Sequence, residues 1–150
     1  MYIKFAKTRD VESPTRANYG DAGIDFYVPN DFIQVTLRHG ESVLIPSGIK
    51  VEVPFGTALI FHNKSGVASK KKLDVMADTI DHGYTGEVHV NLINNGINEV
   101  TITPGDKIIQ GIHIPVLSSI PTEVKIEELY QDIHVIGARG AGGFGSTGTK

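Results

Sequence analysis

The stretch ADTIDHGYTGEV, residues 77–88, places a carboxylate where it could act on water. Asp81 follows Ile80 directly, and a glycine stands on the far side of His82. Asp, Gly and Thr are common in hairpin turns, so a turn with no chemical role would account for this composition by itself. A carboxylate held at a tight bend is also a candidate general base. Both interpretations predict a turn that presents the Asp81 side chain.

A second polar stretch, NKSGVASKKK, combines three kinds of anion-binding group. Lys64 offers an ammonium, Ser65 a hydroxyl, and Gly66 an unhindered backbone N–H. A short helix is predicted over residues 65–73, and its first turn would favour an anion such as phosphate. The alternative is a serine helix cap followed by a lysine face that is simply solvated.

A glutamine interrupts the apolar run in PGDKIIQG, residues 104–111. Gln110 lies two residues from Ile108 and from Ile112, so alternation puts all three side chains on one face. An unpaired buried amide costs roughly 1–3 kcal/mol. We therefore expect Gln110 either to bond to the backbone or to be turned away by a bulge at Gly111.

The segment RGAGGFGSTG, residues 139–148, mixes glycines with groups that a spacer does not need. Its glycines match GxGxxG, but only five residues are given after Gly145, so we do not expect the helix that a dinucleotide site requires. A flexible strip with the Arg139 cation, the Phe144 ring and two hydroxyls, of Ser146 and Thr147, suits a nucleotide phosphate ester. A disordered tail is the alternative.

Strands must position these groups. Short runs rich in β-branched and aromatic residues recur, separated by turn formers, and they predict a single antiparallel all-β domain. Residues 1–10 also alternate like a strand. The other predicted strands are IDFYV, FIQVTL, IKVEV, TALIFH, EVHVNLIN, VTIT and DKIIQGIHIPV.

The composition narrows the classes of function. The 150 residues carry a formal net charge of -3, which argues against a non-specific nucleic-acid binder, and they contain no cysteine for a disulfide or a thiolate metal site. No apolar run has the length of a signal peptide or of a membrane span. We therefore expect a cytoplasmic protein, or one of the host cytoplasm if the source is viral, without a nucleic-acid or membrane partner.

Together, five segments in this order resemble the five motifs of the trimeric dUTPases. They are GDAGIDFY, NKSGVASKKK, ADTIDHGYTGEV, PGDKIIQG and RGAGGFGSTG. The resemblance implies a distorted jelly-roll β-barrel over residues 1–138 and a mobile glycine-rich arm over 139–150. It further implies a homotrimer whose shared active sites split dUTP into dUMP and pyrophosphate with Mg²⁺.

The resemblance also assigns roles in the third motif. Asp81 corresponds to the base that activates the water attacking the α-phosphorus. Tyr84 corresponds to the ring that packs on the deoxyribose and leaves no room for a 2′-hydroxyl. Thr79, Ile80 and the backbone around His89 correspond to the hairpin whose main-chain groups read the uracil edge.

The other motifs supply phosphate and metal contacts by the same resemblance. Asp25 is expected near Mg²⁺, through water. Gln110 and Arg139 are expected to act on the phosphates during catalysis. The remaining expected substrate contacts are Lys64, Ser65 and Gly66 on the phosphates, Phe144 on the uracil ring, and Gly145, Ser146 and Thr147 on the γ-phosphate.

The sequence departs from the common family pattern at three positions. Lys64 replaces an arginine, which keeps the charge but loses the bidentate fork. Val75 replaces an asparagine of the uracil hairpin, and Asp78 replaces a glycine there. A carboxylate near the base could accept from a cytosine amino group, so a dCTP-hydrolysing relative remains an alternative. A nucleotide-gated regulatory binding protein on the same scaffold is another, and any protein partner is unknown.

Overall fold

The computed structural model describes residues 2–131, and strands dominate this part of the chain. The strands are β1 Lys4–Lys7, β2 Gly23–Tyr27, β3 Val35–Leu37, β4 Ser42–Pro46, β5 Ile49–Glu52, β6 Thr57–His62, β7 Leu73–Ala77, β8 Thr79–Asp81, β9 His89–Asn94, β10 Val100–Ile102 and β11 Lys107–Pro115. A short helix with π-type bonding spans Val67–Lys71, and a 3₁₀ turn spans Ile126–Glu128. The predicted all-β class is confirmed.

The strands pair antiparallel in four sheets. The largest has the order β2-β11-β6-β8, the next has the order β4-β9-β7, and β1-β5 and β10-β3 form two-stranded sheets. In the four-stranded sheet, Gln110 of β11 stands between Asp25 of β2 and His62 of β6. Ala58 of β6 stands opposite Asp81 of β8. This sheet therefore carries three of the five predicted site segments.

Alternation along the strands builds the core. In β9, Val90 and Leu92 are fully buried whereas His89 is exposed, as the sequence predicts. In β6, Leu59 and Phe61 point into the same core, and His62 points away from it. The opposite face of the four-stranded sheet is consequently free to carry polar groups.

Gln110 lies on that opposite face, so its predicted place beside Ile108 is wrong. The register of β11 against β2 shifts between Lys107 and Ile109, and both Ile108 and Ile109 are buried. The bulge therefore precedes Gln110 and reverses the alternation. Gly111 is instead a packing position, because a Cβ there would lie 2.8 Å from Leu59 Cδ1.

Three strands, β4, β7 and β8, were not predicted, and β8 lies in the stretch that was expected to form a turn. Residues 73–77 form a strand, so the predicted helix ends before Leu73, and the helix stops at Lys72 with a left-handed φ of 55°. Residues 42–46 form β4, which no pattern had indicated. Its partner is β9, and the pairing runs from Ser42 with Ile93 to Pro46 with His89. A distant strand thus determines this short element.

Among the described residues, 2–118 form one compact unit and 119–131 belong to a second. The predicted boundary at residue 138 and the arm over 139–150 fall outside the described residues. Within residues 2–131, no helix has both the length and the apolar character needed to cross a membrane.

Candidate active site

Asp81 ends β8 and opens a tight turn. Tyr84 N–H donates to Asp81 O at 3.3 Å, and Gly83, the third residue of the turn, has a φ of 88°. That left-handed conformation is one that glycine adopts without strain. The Asp81 carboxylate is exposed, and it lines an open pocket of about 250 Å³ that also includes His82 and Phe55. The predicted turn is confirmed, and it presents the carboxylate to solvent.

A second pocket, of about 320 Å³, lies where β2 and β11 meet the loop before the short helix. Its polar lining includes Asp21, Asp25, Lys64 and Gln110. Asp25 is 5% exposed, and its carboxylate pairs with the Lys64 ammonium and lies 3.4 Å from Lys107 Nζ. We call this cluster the phosphate pocket, after the ligand that the sequence resemblance leads us to expect at Lys64 and Gln110. The hydrogen bond that Lys107 donates to Asp25 raises the pKa of Lys107 above its ordinary value, and the interaction of Lys107 with Tyr27 raises it further.

The side chain of Gln110 is held by the backbone around it. Its Nε2 donates to Asn63 O at 2.9 Å. A Cβ on Gly23 would lie 2.1 Å from Gln110 Oε1, so only glycine leaves room for this amide. The expectation that Gln110 bonds to the backbone is therefore confirmed.

Asn63 connects the phosphate pocket to β7. Its carbonyl accepts from Gln110, its Oδ1 accepts from Val75 N–H at 2.9 Å, and its Nδ2 donates to Asp74 Oδ1. Every polar group of the side chain is thus engaged. Asn63 therefore holds β7, the strand that carries Val75, in place. Position 75 is the one at which the family pattern has an asparagine.

Lys64, Ser65 and Gly66 lie together at the start of the helical turn. Ala68 N–H donates to Lys64 O at 2.8 Å, so the backbone bonding of the helix starts at Lys64. Ser65 and Gly66 are exposed, and no atom lies within 4 Å of a Cβ built on Gly66. Their backbone is therefore accessible to a ligand beside the phosphate pocket.

The residues of the phosphate pocket suit a metal that arrives with phosphates rather than a resident one. Within residues 2–131, no group of three or more His, Asp or Glu side chains could hold a metal ion. Both oxygens of Asp25 face lysine ammoniums, which compete with direct coordination of a metal ion. Mg²⁺ characteristically keeps several waters and binds through substrate phosphates and one or two carboxylates. Asp25 therefore fits a contact made through water.

Asp81 and the phosphate pocket do not meet within one chain. Both lie on the outer face of the four-stranded sheet. Asp25, Gln110 and His62 form one row of paired residues across the strands. Asp81 and Ala58 form a second row, farther along β6. Along the sheet surface, the two rows are roughly 13 Å apart lengthwise, and β2 and β8 are about 14 Å apart across. A single triphosphate could not reach both from one chain.

The backbones of β8 and β9 diverge and leave an opening. The ladder between β7 and β9 ends at Ala77 and Asn91, and its continuation would pair Thr79 with His89. Thr79 pairs instead with Ile60 of β6. Phe61 N–H donates to Asp78 O at 2.7 Å, and alternation along an antiparallel strand then points the N–H and C=O of Thr79 away from β6. Main-chain groups are therefore available at this edge for hydrogen bonds to a planar base.

At Ile80 the same alternation turns the main-chain N–H and C=O toward Leu59 of β6, so they are paired within the sheet rather than free at this edge. The side chain of Ile80 is 7% exposed and belongs to the hydrophobic core. His89 is exposed, and its Nδ1 lies 2.9 Å from Glu87 O. Asp78 is exposed beside the same edge, where its Oδ1 accepts from Thr79 Oγ1 at 3.0 Å.

Tyr84 and Glu87 complete the turn after Asp81. Tyr84 Oη donates to Glu87 O at 2.9 Å, and the ring is 47% exposed. Glu87 Oε1 accepts from Arg9 Nε at 2.9 Å and from Gly48 N–H at 2.7 Å. Burial opposes ionisation of Glu87, but the hydrogen bonds from Arg9 and Gly48 outweigh it and hold the pKa of Glu87 below its ordinary value.

Replacing Glu87 with glutamine should destabilise the fold by about 1 kcal/mol at neutral pH, because the charge-assisted bonds are weakened. A lowered native pKa stabilises the fold above the unfolded pKa, and this stabilisation is lost as pH falls through the native pKa. The difference between wild type and variant should therefore shrink in acid. Urea unfolding at one protein concentration and several pH values measures it. Glu52→Gln, at an exposed ion pair, should show no comparable loss.

The structure adds residues that the sequence patterns did not single out. Asn63 and Glu87 lie within two of the five motifs but were assigned no role there, and only the bonds of their side chains show that they hold site segments. A polar residue adjoining a glycine-rich segment is the one signal that sequence offers for either. The predicted contacts Arg139, Phe144, Gly145, Ser146 and Thr147 lie outside the described residues.

Solved structures resemble this fold over most of the chain. The dUTPase of Staphylococcus bacteriophage 80alpha, in a mutant form with dUpNHpp, matches with a TM-score of 0.81 at 22% identity and covers 98% of both chains. A mutant dUTPase from phage phi11 of S. aureus, described with a structural Mg(II) ion, matches with a TM-score of 0.75 at 23% identity. That match covers 83% of this chain and 97% of the phage protein. The predicted jelly-roll fold is thereby confirmed.

Sequence comparison is more specific. The deoxyuridine 5'-triphosphate nucleotidohydrolase of Trichodesmium erythraeum is 40% identical over 152 residues, which cover 99% of this chain and 100% of that protein. The protein of the same name from Clostridium acetobutylicum is 39% identical over 139 residues, covering 91% of this chain and 89% of its own length. The family model for dUTPase matches residues 9–148. With the site geometry described above, these matches show that the chain belongs to the dUTPase family.

Proposed function

We propose that this protein hydrolyses dUTP to dUMP and pyrophosphate. The observation that carries the proposal is the exposed Asp81 carboxylate at the end of β8, beside a strand edge with free main-chain groups. A nucleotide whose uracil ring is bound at that edge would have its α-phosphate near the Asp81 carboxylate. The relatives that match the full chain are named for the same reaction.

In the proposed reaction, Asp81 takes a proton from a water molecule, and the water oxygen attacks the α-phosphorus in line. The bond between that phosphorus and the oxygen that bridges to the β-phosphorus breaks, and pyrophosphate leaves with the bridging oxygen. Phosphoryl transfer of this kind depends mainly on positioning and charge neutralisation. This chain therefore contributes the position of one general base, Asp81, and the positions of several groups that contact the phosphates.

The phosphate contacts come from the phosphate pocket and its neighbours. Lys64 supplies a cation, Gln110 an amide, and Ser65 and Gly66 hydroxyl and backbone donors. We propose that Arg139 adds a second cation, that Phe144 stacks on uracil, and that Gly145, Ser146 and Thr147 contact the γ-phosphate. Mg²⁺ would neutralise the triphosphate charge, with Asp25 behind a water molecule.

We further propose that the active sites are shared between the subunits of a homotrimer. The distance between Asp81 and the phosphate pocket within one chain supports this, because one substrate needs both sets of groups. A neighbouring subunit that brings its phosphate pocket to Asp81 completes the site. Closed cyclic symmetry then repeats the same contact at every interface.

Uracil is the proposed base even though Val75 and Asp78 depart from the family pattern. Asn63 already bonds the N–H of Val75, so an amide still stabilises this strand. The carbonyl of Asp78 is fixed by Phe61, and its carboxylate is the feature that favours cytosine as the second candidate.

Pyrophosphate release with Mg²⁺, measured in parallel on dUTP, dCTP, dTTP and UTP, tests the function. We expect the highest kcat/KM for dUTP. A preference for dCTP would keep the mechanism and assign base selection to Asp78. No hydrolysis of any nucleotide would contradict the proposal and favour a regulatory binding protein, which calorimetry with a non-hydrolysable dUTP analogue would detect.

A further inference from the structure

We propose that Gly86 determines the sugar selectivity of the active site by fixing the position of the Tyr84 ring. This inference rests on the proposed function and on the expectation, drawn from the sequence resemblance, that the Tyr84 ring lies against the deoxyribose. It assigns a positioning role to a residue that touches no substrate.

The Tyr84 ring lies directly on Gly86. A Cβ at position 86 would lie 2.4 Å from Tyr84 Oη, 2.6 Å from Cζ and 3.1 Å from Cε2. Two of these distances are shorter than any real contact of a Cβ atom, so either the ring or the backbone beneath it must move. Glycine is therefore required by the ring.

The backbone beneath the ring is the less movable partner. Glu87, the next residue, accepts from Arg9 and from the N–H of the buried Gly48. Val88 N–H donates to Ile49 O at 2.8 Å. Displacing residue 86 would strain these bonds, whereas the ring has an exposed side into which it can rotate.

The conformation of residue 86 itself does not demand glycine. Its φ lies outside the left-handed range in which side chains are strained, unlike that of Gly83, which is 88°. Alanine at position 86 thus acts through its contact with Tyr84 and not through the backbone. The substitution isolates the position of the ring.

A displaced ring changes the space available at the sugar. Tyr84 Oη bonds to Glu87 O at 2.9 Å, and this bond and Gly86 together hold the ring in one place. Exclusion of a 2′-hydroxyl depends on steric contact, which a small shift of the ring removes. UTP should then gain relative to dUTP.

The experiment compares kcat/KM for dUTP and UTP in Gly86→Ala and in the control Gly20→Ala. No atom lies within 4 Å of a Cβ on Gly20, and its φ is also outside the left-handed range. We expect the ratio of dUTP to UTP to fall at least about tenfold in Gly86→Ala and to stay unchanged in the control. Since both substrates are measured on the same preparation, partial unfolding cancels from the ratio.

A double-mutant cycle with Tyr84→Ala tests whether Gly86 acts through the ring. Gly86→Ala should have no further effect on the ratio once the ring is absent. An unchanged ratio in Gly86→Ala, or an equal fall in both backgrounds, would overturn the proposal. If wild type does not hydrolyse dUTP, the proposed function fails before the variants are compared.

Tyr84→Phe keeps the experiment decisive if Gly86→Ala yields no folded protein. It frees the ring from Glu87 O without adding an atom. The ratio should then fall by about threefold to fivefold, since a typical hydrogen bond contributes about 1 kcal/mol. A ratio equal to that of wild type would count against the account.

Discussion

Replacing Asp81 with asparagine should lower kcat for dUTP by about 10² to 10⁴-fold, the usual contribution of a general base. Asparagine is nearly the same size and cannot take the proton from water. The side chain is exposed and makes no hydrogen bond within residues 2–131, so the fold should be unaffected. Pyrophosphate release gives kcat, and calorimetry with a non-hydrolysable dUTP analogue gives the affinity.

Asp31→Asn is the matched control, because it makes the same chemical change at an exposed aspartate that pairs with Arg9. Its kcat should equal that of wild type. If Asp81→Asn keeps full turnover, Asp81 is not the base. If it loses binding as well as turnover, its role is to hold the nucleotide.

Mixing two inactive variants should restore activity if the sites are shared. Asp81→Asn removes the base, and Gln110→Glu places a carboxylate in the phosphate pocket, where it repels the triphosphate. A mixed trimer contains sites that take Asp81 from one variant and Gln110 from the other. Random assembly of equal amounts should give about a quarter of the wild-type activity.

The two variants are unfolded together, refolded and assayed, and each is refolded alone as its control. Distinct affinity tags and mass spectrometry establish that mixed oligomers have formed. Mixed trimers without activity would show that one chain supplies both groups, and a monomer in light scattering would contradict the shared site.

The alternation of apolar and polar residues predicted those strands whose own sequences are typical of strands. TALIFH coincides with β6, because both of its faces are filled by residues that favour strands. The strands that were missed depend on partners far along the chain. Residues 42–46 are exposed at Ser42 and Leu44 and are ordered by pairing with β9. Residues 73–77 follow a lysine run that read as helical, and the left-handed Lys72 ends the helix before them.

The site was predicted in its motifs but not in its geometry. The turn at Asp81 follows from its glycine and its neighbours. The position of Gln110 did not follow, since a bulge two residues earlier reverses the face of every later residue in β11. The separation of Asp81 from the phosphate pocket depends on which residues of β6 pair with β8 and which pair with β11. Such registers are tertiary facts that local patterns do not contain.

Asn94 is fully buried, and its amide joins three backbone groups. Its Nδ2 donates to Leu37 O and Asn98 O, and its Oδ1 accepts from Gly96 N–H at 2.8 Å. Asn-Gly sequences such as Asn95-Gly96 age chemically when the glycine nitrogen attacks the preceding side-chain amide. Here the N–H of Gly96 already donates a hydrogen bond to Asn94 Oδ1. The folded protein is consequently protected against deamidation at Asn95, and a population that unfolds often would reveal itself by a slow gain of negative charge at this position.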